Sequence, residues 1–481
     1  MNLEQSRGCA GCEDVFTIDC DGHQHAVGCD KPEGRDIRAP HYSVREPLQS
    51  SYMRFTFVFV ILILTAAVIA QTAPKSQPKS VTVPVTFDQG RIVIDVALLL
   101  SDGSTERVRG WVDNGTPDLY MNERVAALMG LSLSCDGQLC SGTRKSPAAS
   151  FEIVIGGMKI QLSAMREIKV PRGRPAIGPG ASAEINIPST VLRDYDVLVN
   201  FPDREFTIAL PGSLNFNGVK SKMLLNASNG LVQIPSKIDN KNYDLGLGLG
   251  SSTSFLAEEL FDKLSNAHPN WPHMVGVVGP FNTGELADEP TLKLMRVDRI
   301  QYGPLFLTDV AVAGLPRDLS LNPINDRSTP VDVHATIPSA NLLSSEALLN
   351  YRVGLDYAHS TVYFDIGRTV RLPDFDVVGL ILRPDDRPDG DLFTIVGVAD
   401  CDGKPSVADV QAGDHLIAVD DNPVADFTLG QVWSLLEGYP GQGRKLTIER
   451  AGKQFSLVAK VQHFLGDAPL DEEPKRKSKK N

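Results

Sequence analysis

The chain has 481 residues, of which 42% are hydrophobic and 22% are charged, a composition typical of a globular protein with about two to four domains. Its 47 basic and 59 acidic residues give a net charge of −12, which argues against nucleic-acid binding as the main function. A chain of this length can form a core without structural metals or many disulfides.

The first 52 residues are polar and rich in cysteine. Cys9 and Cys12 form a Cys-x-x-Cys pair, and Cys20 and Cys29 follow it, which would suit zinc. However, the later spacing fits no common zinc finger, and the segment has little apolar content. We therefore interpret residues 1–52 as a disordered prefix or as sequence upstream of the true start.

A targeting signal begins at Met53. One arginine precedes an apolar stretch at 55–70, which ends in the small-residue sequence Val-Ile-Ala before a polar linker at 71–80. This pattern predicts a secretory signal at 53–70 and a secreted or periplasmic protein. The stretch is short for a membrane-spanning helix, so a membrane anchor formed by residues 55–70 is the alternative if the signal is not cleaved.

Three cysteines remain after the predicted cleavage site. Cys135 and Cys140 flank the turn-like sequence Asp-Gly-Gln-Leu, which predicts a disulfide across a small loop in an exported protein. The alternative, two reduced thiols, applies if the protein is not exported. The third cysteine is Cys401.

From residue 80 onward the pattern predicts a mainly β fold. Short apolar runs bounded by turn residues, such as RIVIDVALLL, ERVRGWVD and SFEIVIGGMKIQL, are typical of strands. Two short helical patterns, NERVAALMGL and SFLAEELFDKLS, each follow a glycine-containing turn after an apolar strand.

The strands belong to an internal repeat. Residues 186–201 and 336–357 share the sequence Ile-Pro-Ser, a following leucine and a later Tyr-x-Val. Two landmarks in the same order at similar offsets indicate two related lobes. We place lobe 1 at 80–212 and lobe 2 at 213–370.

A third unit follows the two lobes. Residues 371–462 contain several short strand patterns and one helical pattern at 428–437, which predicts a compact strand-rich domain, here called the C-terminal unit. The last residues, 463–481, end in a charge run typical of a solvated tail.

The glycine turns of the two lobes carry a family resemblance. Lobe 1 reads Val-Asp-Asn-Gly-Thr at 112–116, and lobe 2 reads Leu-Gly-Leu-Gly-Ser at 247–251. This arrangement resembles the pepsin and retropepsin type of aspartic peptidase, whose hallmark is an apolar residue followed by Asp-Thr/Ser-Gly-Ser/Ala/Thr, once per lobe. The resemblance implies a bilobal double β-barrel. The residues that it places in the two active turns are Asp113, Asn114, Gly115, Thr116, Gly248, Gly250 and Ser251.

The chemistry of that family depends on two acids. Two carboxylates within hydrogen-bonding distance share a proton, so that one activates a water as base while the other protonates the substrate carbonyl. Asp113 occupies the first position in this chain, but Gly248 occupies the second. The sequence therefore predicts that hydrolysis is weak or absent.

Two further departures point the same way. Asn114 stands where the family has a hydroxyl residue that braces the two turns, and we expect an asparagine not to reproduce that bonding. Ile-Pro-Ser, at 187–189 and 337–339, replaces the apolar-apolar-Gly element that packs against each turn. Because proline lacks an N–H, we expect the backbone pairing there to differ.

Three alternatives stay open. In a slipped register Asp244 would be the second acid, although four residues correspond to about 13 Å along a strand. A homodimer in which two copies of Asp113 meet is disfavoured, because the chain already contains both lobes. The glycines of 246–250 also suggest a dinucleotide-binding loop, but the third glycine of that fingerprint and a βαβ context are missing.

The C-terminal unit resembles a PDZ domain. Gly379, Leu380, Ile381 and Leu382 match the carboxylate-binding loop of that family, and VQAGDHLIAVDDNPV resembles its downstream signature. The resemblance implies that these residues bind the carboxyl terminus of a peptide, which would add a strand to the sheet.

The sequence thus favours an exported protein of aspartic-peptidase fold that binds extended polypeptide, both between its lobes and at the PDZ-like groove. The alternative is an active aspartic endopeptidase that uses Asp113 together with a second acid such as Asp244. No cofactor or metal is expected, and no nucleic-acid partner.

Overall fold

The computed structural model describes residues 16–18, 24–26, 77–100, 102–137, 139–144, 151–162, 168–171, 183–284, 288–316, 341–369, 375–384, 392–401 and 403–466. The chain divides into two compact units, Met1–Lys75 and Ser76–Asn481. The described residues are mainly β, as the sequence predicts.

In the first unit, strands β1 (Phe16–Ile18) and β2 (Gln24–Ala26) pair antiparallel. This hairpin falls within residues 1–52, where the sequence predicts disorder; two short strands can pair locally without a large core. The predicted signal at 53–70 and the four cysteines of the prefix lie outside the described residues.

The strands of lobe 1 are β3 (Ser80–Pro84), β4 (Thr86–Asp88), β5 (Arg91–Leu99), β6 (Thr105–Asp113), β7 (Leu119–Tyr120), β8 (Leu131–Asp136), β9 (Leu139–Arg144), β10 (Glu152–Ile155), β11 (Met158–Gln161), β12 (Ile168–Pro171), β13 (Ile185–Pro188), β14 (Asp196–Asn200) and β15 (Glu205–Ala209). Two short helices, α1 (Glu123–Leu128) and α2 (Ser189–Leu192), lie between them. One sheet has the order β11-β10-β5-β6-β13, with β4 paired to β5, and another has the order β7-β12-β9-β8.

The strands of lobe 2 are β16 (Val219–Lys222), β17 (Leu224–Leu225), β18 (Val232–Ile238), β19 (Lys241–Gly248), β20 (Phe255–Ala257), β21 (His273–Val275), β22 (Lys293–Tyr302), β23 (Leu305–Leu315), β24 (Leu342–Ser344), β25 (Tyr351–Asp356) and β26 (Thr361–Ile366). Helix α3 (Glu258–Ala267) and two 3₁₀ turns, Gly279–Phe281 and Ser345–Leu348, complete it. Its sheet has the order β17-β18-β19-β24-β20-β23-β22-β21, and β18 also pairs with β22.

A six-stranded sheet joins the lobes. Its order is β16-β26-β25-β14-β15-β3, so that β14 of lobe 1 and β25 of lobe 2 pair antiparallel at its centre. Each lobe contributes one hairpin and one outer strand. This symmetric arrangement agrees with the internal repeat.

The strands of the C-terminal unit are β27 (Asp376–Val377), β28 (Leu380–Pro384), β29 (Phe393–Val398), β30 (Asp400–Cys401), β31 (Lys404–Pro405), β32 (His415–Val419), β33 (Asn422–Pro423), β34 (Gly443–Arg450), β35 (Lys453–Lys460) and β36 (Gln462–His463). Helix α4 (Leu429–Leu436) begins with a capping box between Thr428 and Gln431. The main sheet has the order β28-β29-β32-β34-β35, which leaves β28 at an edge.

Two hydrophobic cores hold the structure together. The larger one is shared by both lobes, and it includes alternate residues of β5, namely Ile92, Ile94, Val96 and Leu98. The second core combines side chains of the C-terminal unit with lobe 2 residues such as Phe281. The C-terminal unit is therefore packed onto lobe 2. No helix in the described part of the chain is long and apolar enough to cross a membrane.

Candidate active site

Asp113 lies at the end of β6, where the strand enters its glycine turn. Its side chain is only 4% exposed. The backbone N–H of Gly115 donates to Oδ1 at 2.9 Å, and the hydroxyl of Thr116 donates to Oδ2. The turn thus holds the carboxylate through its own residues. Among the residues that the structure describes, no second carboxylate hydrogen-bonds with Asp113.

Burial raises the pKa of Asp113 from 3.8 to about 6. The hydrogen bonds from Thr116 and Gly115, and the charge of Arg91, oppose that increase because they stabilise the ionised form. Arg91 is itself buried, and its guanidinium carbon lies 5.5 Å from the centre of the Trp111 ring. The charge of Arg91 thus acts on Asp113, and with a pKa of about 6 Asp113 is mostly ionised at neutral pH.

Arg91 comes from the strand beside Asp113. Ile92 of β5 pairs with Val112 of β6, so the preceding Arg91 is the cross-strand neighbour of Asp113 on the face away from the core. No sequence motif singles out Arg91 or Trp111, because their proximity to each other and to Asp113 depends on the register of two strands.

Asn114 braces the two turns, contrary to the expectation from the sequence. Its Nδ2 donates to the carbonyl of Leu247 at 2.8 Å, and its Oδ1 accepts from the N–H of Leu249 at 2.6 Å. The side chain is fully buried. The expectation was wrong because an amide has a donor and an acceptor on separate arms, and both arms reach the facing backbone.

This bonding fixes the register of the second turn. Leu247 and Leu249 flank Gly248, so Gly248 is the residue of lobe 2 that corresponds to Asp113. An added Cβ at Gly248 would lie 2.7 Å from Cδ2 of Leu342. The space next to the second position is therefore occupied by a leucine side chain.

The structure places Asp244 away from the turn, so the slipped register is wrong. Asp244 is exposed and lies on β19, where it pairs with Pro235, four residues before Gly248. At the rise of a strand, four residues span about 13 Å. The structure therefore does not bring Asp244 to Asp113.

Gly250 packs directly on the acid of the other lobe. A Cβ at this position would lie 2.7 Å from Oδ1 of Asp113 and 2.9 Å from the carbonyl of Val112. The indole N–H of Trp111 donates to the carbonyl of Gly250 at 2.9 Å. Glycine is needed at residue 250 because backbone approaches backbone there.

Serine residues fasten both turns in the same way. The backbone N–H of Ser189 donates to the carbonyl of Thr116 at 2.9 Å, and the backbone N–H of Ser345 donates to the carbonyl of Ser251 at 3.4 Å. Thr116 and Ser251 hold equivalent places in the two turns, so Ser345 is the counterpart of Ser189. The sequence repeat instead predicts that Ser339, in the Ile-Pro-Ser of 337–339, is the counterpart of Ser189. Residues 337–339 lie outside the described residues.

The pairing next to each turn is parallel. Pro188 of β13 lies opposite Asp113, and Ser344 of β24 lies opposite Gly248. The predicted disruption by proline does not occur in lobe 1, because Pro188 is the last residue of its strand and the next N–H, of Ser189, bonds to Thr116.

A polar network supports the first turn from the side. Asn186 accepts the N–H of Tyr120 at 2.8 Å and donates to the carbonyl of Asp118 at 3.0 Å. Lys169 pairs with Asp118, and its ammonium lies 5.7 Å from the Tyr120 ring centre. Burial raises the pKa of Tyr120 to about 12, so it stays neutral. The sequence feature that could have identified this network is Asn186, a polar residue in an apolar strand directly before Ile-Pro-Ser.

The disulfide and the PDZ-like loop are also placed. Cys135 and Cys140 are joined by a disulfide across the β8–β9 hairpin, where they lie directly opposite each other.

Leu380, Ile381 and Leu382 are completely buried, and Gly379 is also buried. A peptide cannot contact residues 379–382 in this arrangement.

A scan against protein-family models found no match, and a search of curated proteins found none. Among solved structures, an aspartic proteinase from Irpex lacteus is similar to this chain, with 11% sequence identity and a TM-score of 0.35. The likeness covers 60% of this chain and 97% of the proteinase. A TM-score this low identifies no shared function.

Proposed function

We propose that this chain is an exported protein of aspartic-peptidase-like fold that binds extended polypeptide at its paired turns without hydrolysing it. The observation that carries the proposal is the register set by Asn114, which assigns the second acid position to Gly248.

A single acid cannot perform both halves of the reaction. Above a pH of about 6 Asp113 is ionised, and within the described part of the chain no neutral acid is hydrogen-bonded to it to protonate a substrate carbonyl. Below that pH Asp113 is protonated and no longer acts as a base. Arg91 also favours the ionised form, whereas a proton-sharing pair needs one neutral member.

The turns still suit a peptide backbone. The carboxylate of Asp113 can accept an N–H in addition to its two internal bonds, because an ionised carboxylate has about four acceptor positions. Gly250 leaves no side chain beside it. Extended polypeptide, whose N–H groups repeat along a strand, matches these acceptors.

The first experiment measures cleavage of a mixed peptide library between pH 3 and 7. We expect no cleavage by the parent protein. Robust cleavage that disappears in Asp113→Asn would overturn the binding-only function and favour the endopeptidase. Loss of the same activity in Asp244→Asn would identify Asp244 as the second acid, and retention would exclude it.

The second experiment measures binding of a fluorescein-labelled, reduced and carboxymethylated polypeptide by fluorescence anisotropy. We expect Asp113→Ala to weaken binding about 5- to 100-fold, as loss of a hydrogen bond to a charged group does. Asp244→Ala is the matched control, because Asp244 is an exposed acid of the same size outside the turn. Equal binding by the parent and both variants would contradict the proposed site.

Export has its own test. Cleavage of the predicted signal would give a mature protein that begins at Gln71, which N-terminal sequencing detects. A protein that retains Met53 and sediments with membranes would instead support anchoring by residues 55–70.

A further inference from the structure

The edge of β28 is covered by a segment of lobe 2. Residues 276–284, here called the inserted segment, lie between β28 and α4, in the groove where the sequence predicts an external peptide. The 3₁₀ turn Gly279–Phe281 contacts α4. Apolar side chains from both sides form one core, namely Val277, Val278, Phe281, Leu380, Leu382, Leu429, Val432 and Leu436.

Asn282 pairs with β28 as a bound strand would. Its Oδ1 accepts the N–H of Leu382 at 2.8 Å, and its Nδ2 donates to the carbonyl of Leu382 at 2.9 Å. An added strand satisfies an edge residue in this manner, through one donor and one acceptor. Asn282 is completely buried, so this pairing is shielded from water.

Glu289 fixes the shape of the inserted segment. Its carboxylate accepts hydrogen bonds from Nδ2 of Asn282 at 2.6 Å, from the N–H of Thr283 at 3.0 Å and from the N–H of Gly284 at 2.9 Å. Glu289 is also completely buried. Both hydrogens of the Asn282 amide are therefore used, one by Leu382 and one by Glu289.

Glycines let the segment lie close against β28. A Cβ at Gly276 would lie 2.9 Å from Cδ1 of Ile381, and one at Gly284 would lie 2.8 Å from Cδ of Pro384. Both glycines have positive φ, of 87° and 72°. The carboxylate loop is closed as well, because the N–H of Leu380 donates to the carbonyl of Val378 at 2.7 Å.

The inserted segment also reaches the paired turns. The hydroxyl of Thr253, three residues after Gly250, donates to the carbonyl of Pro280 at 3.3 Å. Nε2 of Gln89 donates to the carbonyl of Asn282 at 2.5 Å, and the adjacent Gly90 accepts a hydrogen bond from Ser345 at 2.7 Å. Residues next in the chain to the second turn and to Gly90 thus contact the inserted segment.

We propose that the inserted segment is the resident, autoinhibitory ligand of the groove between β28 and α4. A peptide with a free carboxyl terminus binds there only after the segment leaves, and its departure loosens the turn that carries Gly248. The proposal concerns the groove and its link to the second turn, and it does not depend on whether the paired turns bind or cleave polypeptide.

The test compares the parent protein with Asn282→Asp. This change keeps the size of the side chain but removes the donor that faces Leu382 and Glu289. Asn422→Asp is the matched control, because it is the same substitution at an exposed asparagine of the C-terminal unit. Hydrogen exchange followed by mass spectrometry reports on residues 276–284, and fluorescence polarization reports binding of a labelled octapeptide library that ends in valine with a free carboxyl group.

In the parent and the control we expect slow exchange of the segment together with Leu382, and no peptide binding. In Asn282→Asp we expect exchange about 10-fold faster or more, as loss of a buried hydrogen bond predicts. The peptides should then bind, and the same peptides with a carboxamide end should not. Faster exchange at Leu249 is expected in the same sample.

Three results would overturn the proposal: exchange of the parent segment at the rate of an open loop, peptide binding by the parent while the segment stays protected, or a released segment with no gain in peptide binding. Unchanged exchange at Leu249 in a released variant would remove the link to the turn. If Asn282→Asp does not fold, Glu289→Gln disturbs the same segment by weakening the hydrogen bonds that Glu289 accepts from Asn282, Thr283 and Gly284, and the same outcomes apply.

Discussion

Replacing Asp113 with asparagine should change how the stability of the protein depends on pH. The pKa of this carboxyl group is raised from 3.8 to about 6, chiefly by burial. Between these two values the folded protein holds a proton that the unfolded chain has lost. The free energy of unfolding therefore falls as the pH rises from about 4 to about 6, and it levels off above that.

The size of the effect follows from the pKa difference. Each pKa unit corresponds to about 1.4 kcal/mol, so an increase of about two units costs the folded state about 3 kcal/mol at pH 7. Asp113→Asn removes this cost. The new carbonyl can still accept from Gly115, and the hydroxyl of Thr116 can rotate to accept from the new amide.

Urea unfolding at pH 4, 5, 6 and 7, followed by circular dichroism, measures the effect. Relative to the parent, Asp113→Asn should gain about 2–3 kcal/mol between pH 4 and pH 7, because the unfolded carboxyl is already partly ionised at pH 4. Asp244→Asn serves as the control, because it is the same substitution at an exposed acid outside the turn. A constant difference between the parent and Asp113→Asn across this range would refute the conclusion that burial controls this acid.

Three further changes test the turns. Asn114→Ala should lower the free energy of unfolding by about 2–4 kcal/mol, because it leaves the carbonyl of Leu247 and the N–H of Leu249 without their buried partner. Urea unfolding measures this loss. A loss below about 0.5 kcal/mol would contradict the conclusion that Asn114 braces the two turns. Gly250→Ala should cost about 1–3 kcal/mol, because its Cβ would lie 2.7 Å from Asp113 Oδ1; an unchanged thermal midpoint would be incompatible with that approach. The double variant Gly248→Asp, Leu342→Ala should raise the pKa of Asp113 further, since two adjacent carboxyl groups share one proton. NMR of the carboxyl carbons measures the titration, and a pKa that stays near 6 would show that residue 248 does not face Asp113.

The sequence was sufficient to locate the turns but not their surroundings. Asp113 and Gly248 could be placed at strand ends that enter a glycine turn, because a strand, a glycine turn and a helix form a local pattern. Arg91 could not be assigned, because its place beside Asp113 depends on the register of the β5–β6 pair. Leu342 could not be assigned, because it reaches its turn through a pairing between strands that are distant in the chain. The electrostatic setting of an acid is thus harder to predict from sequence than its position.

Two errors have specific physical causes. The prediction for Asn114 compared its side chain with the hydroxyl group that it replaces. Its hydrogen bonding depends instead on the distance to the backbone of the facing turn, which the sequence does not specify. The repeat in lobe 2 was aligned on the Ile-Pro-Ser of 337–339, but the strand beside Gly248 is Leu342–Ser344. A short identical sequence was a weaker guide than the pairing that the turn requires.

The C-terminal unit shows a different limit. A local pattern can identify residues 379–382 as the edge of a groove. It cannot show that Asn282, 100 residues earlier, already pairs with that edge. Whether a binding surface is free is a property of the assembled chain, so sequence resemblance to a peptide-binding loop predicts the groove and not its occupancy.

Bracing and chemistry are separable at the paired turns. The bonds that hold the turns together come from Asn114, Ser189 and Ser345, and none of them involves a carboxylate. The fold therefore does not require a second acid, and a second carboxylate would add the repulsion between like charges to the burial cost that Asp113 already bears. Two joined turns with one acid therefore form a stable arrangement. For this reason the fold alone does not indicate whether the protein catalyses hydrolysis, whereas the residue that occupies position 248 bears on that question directly.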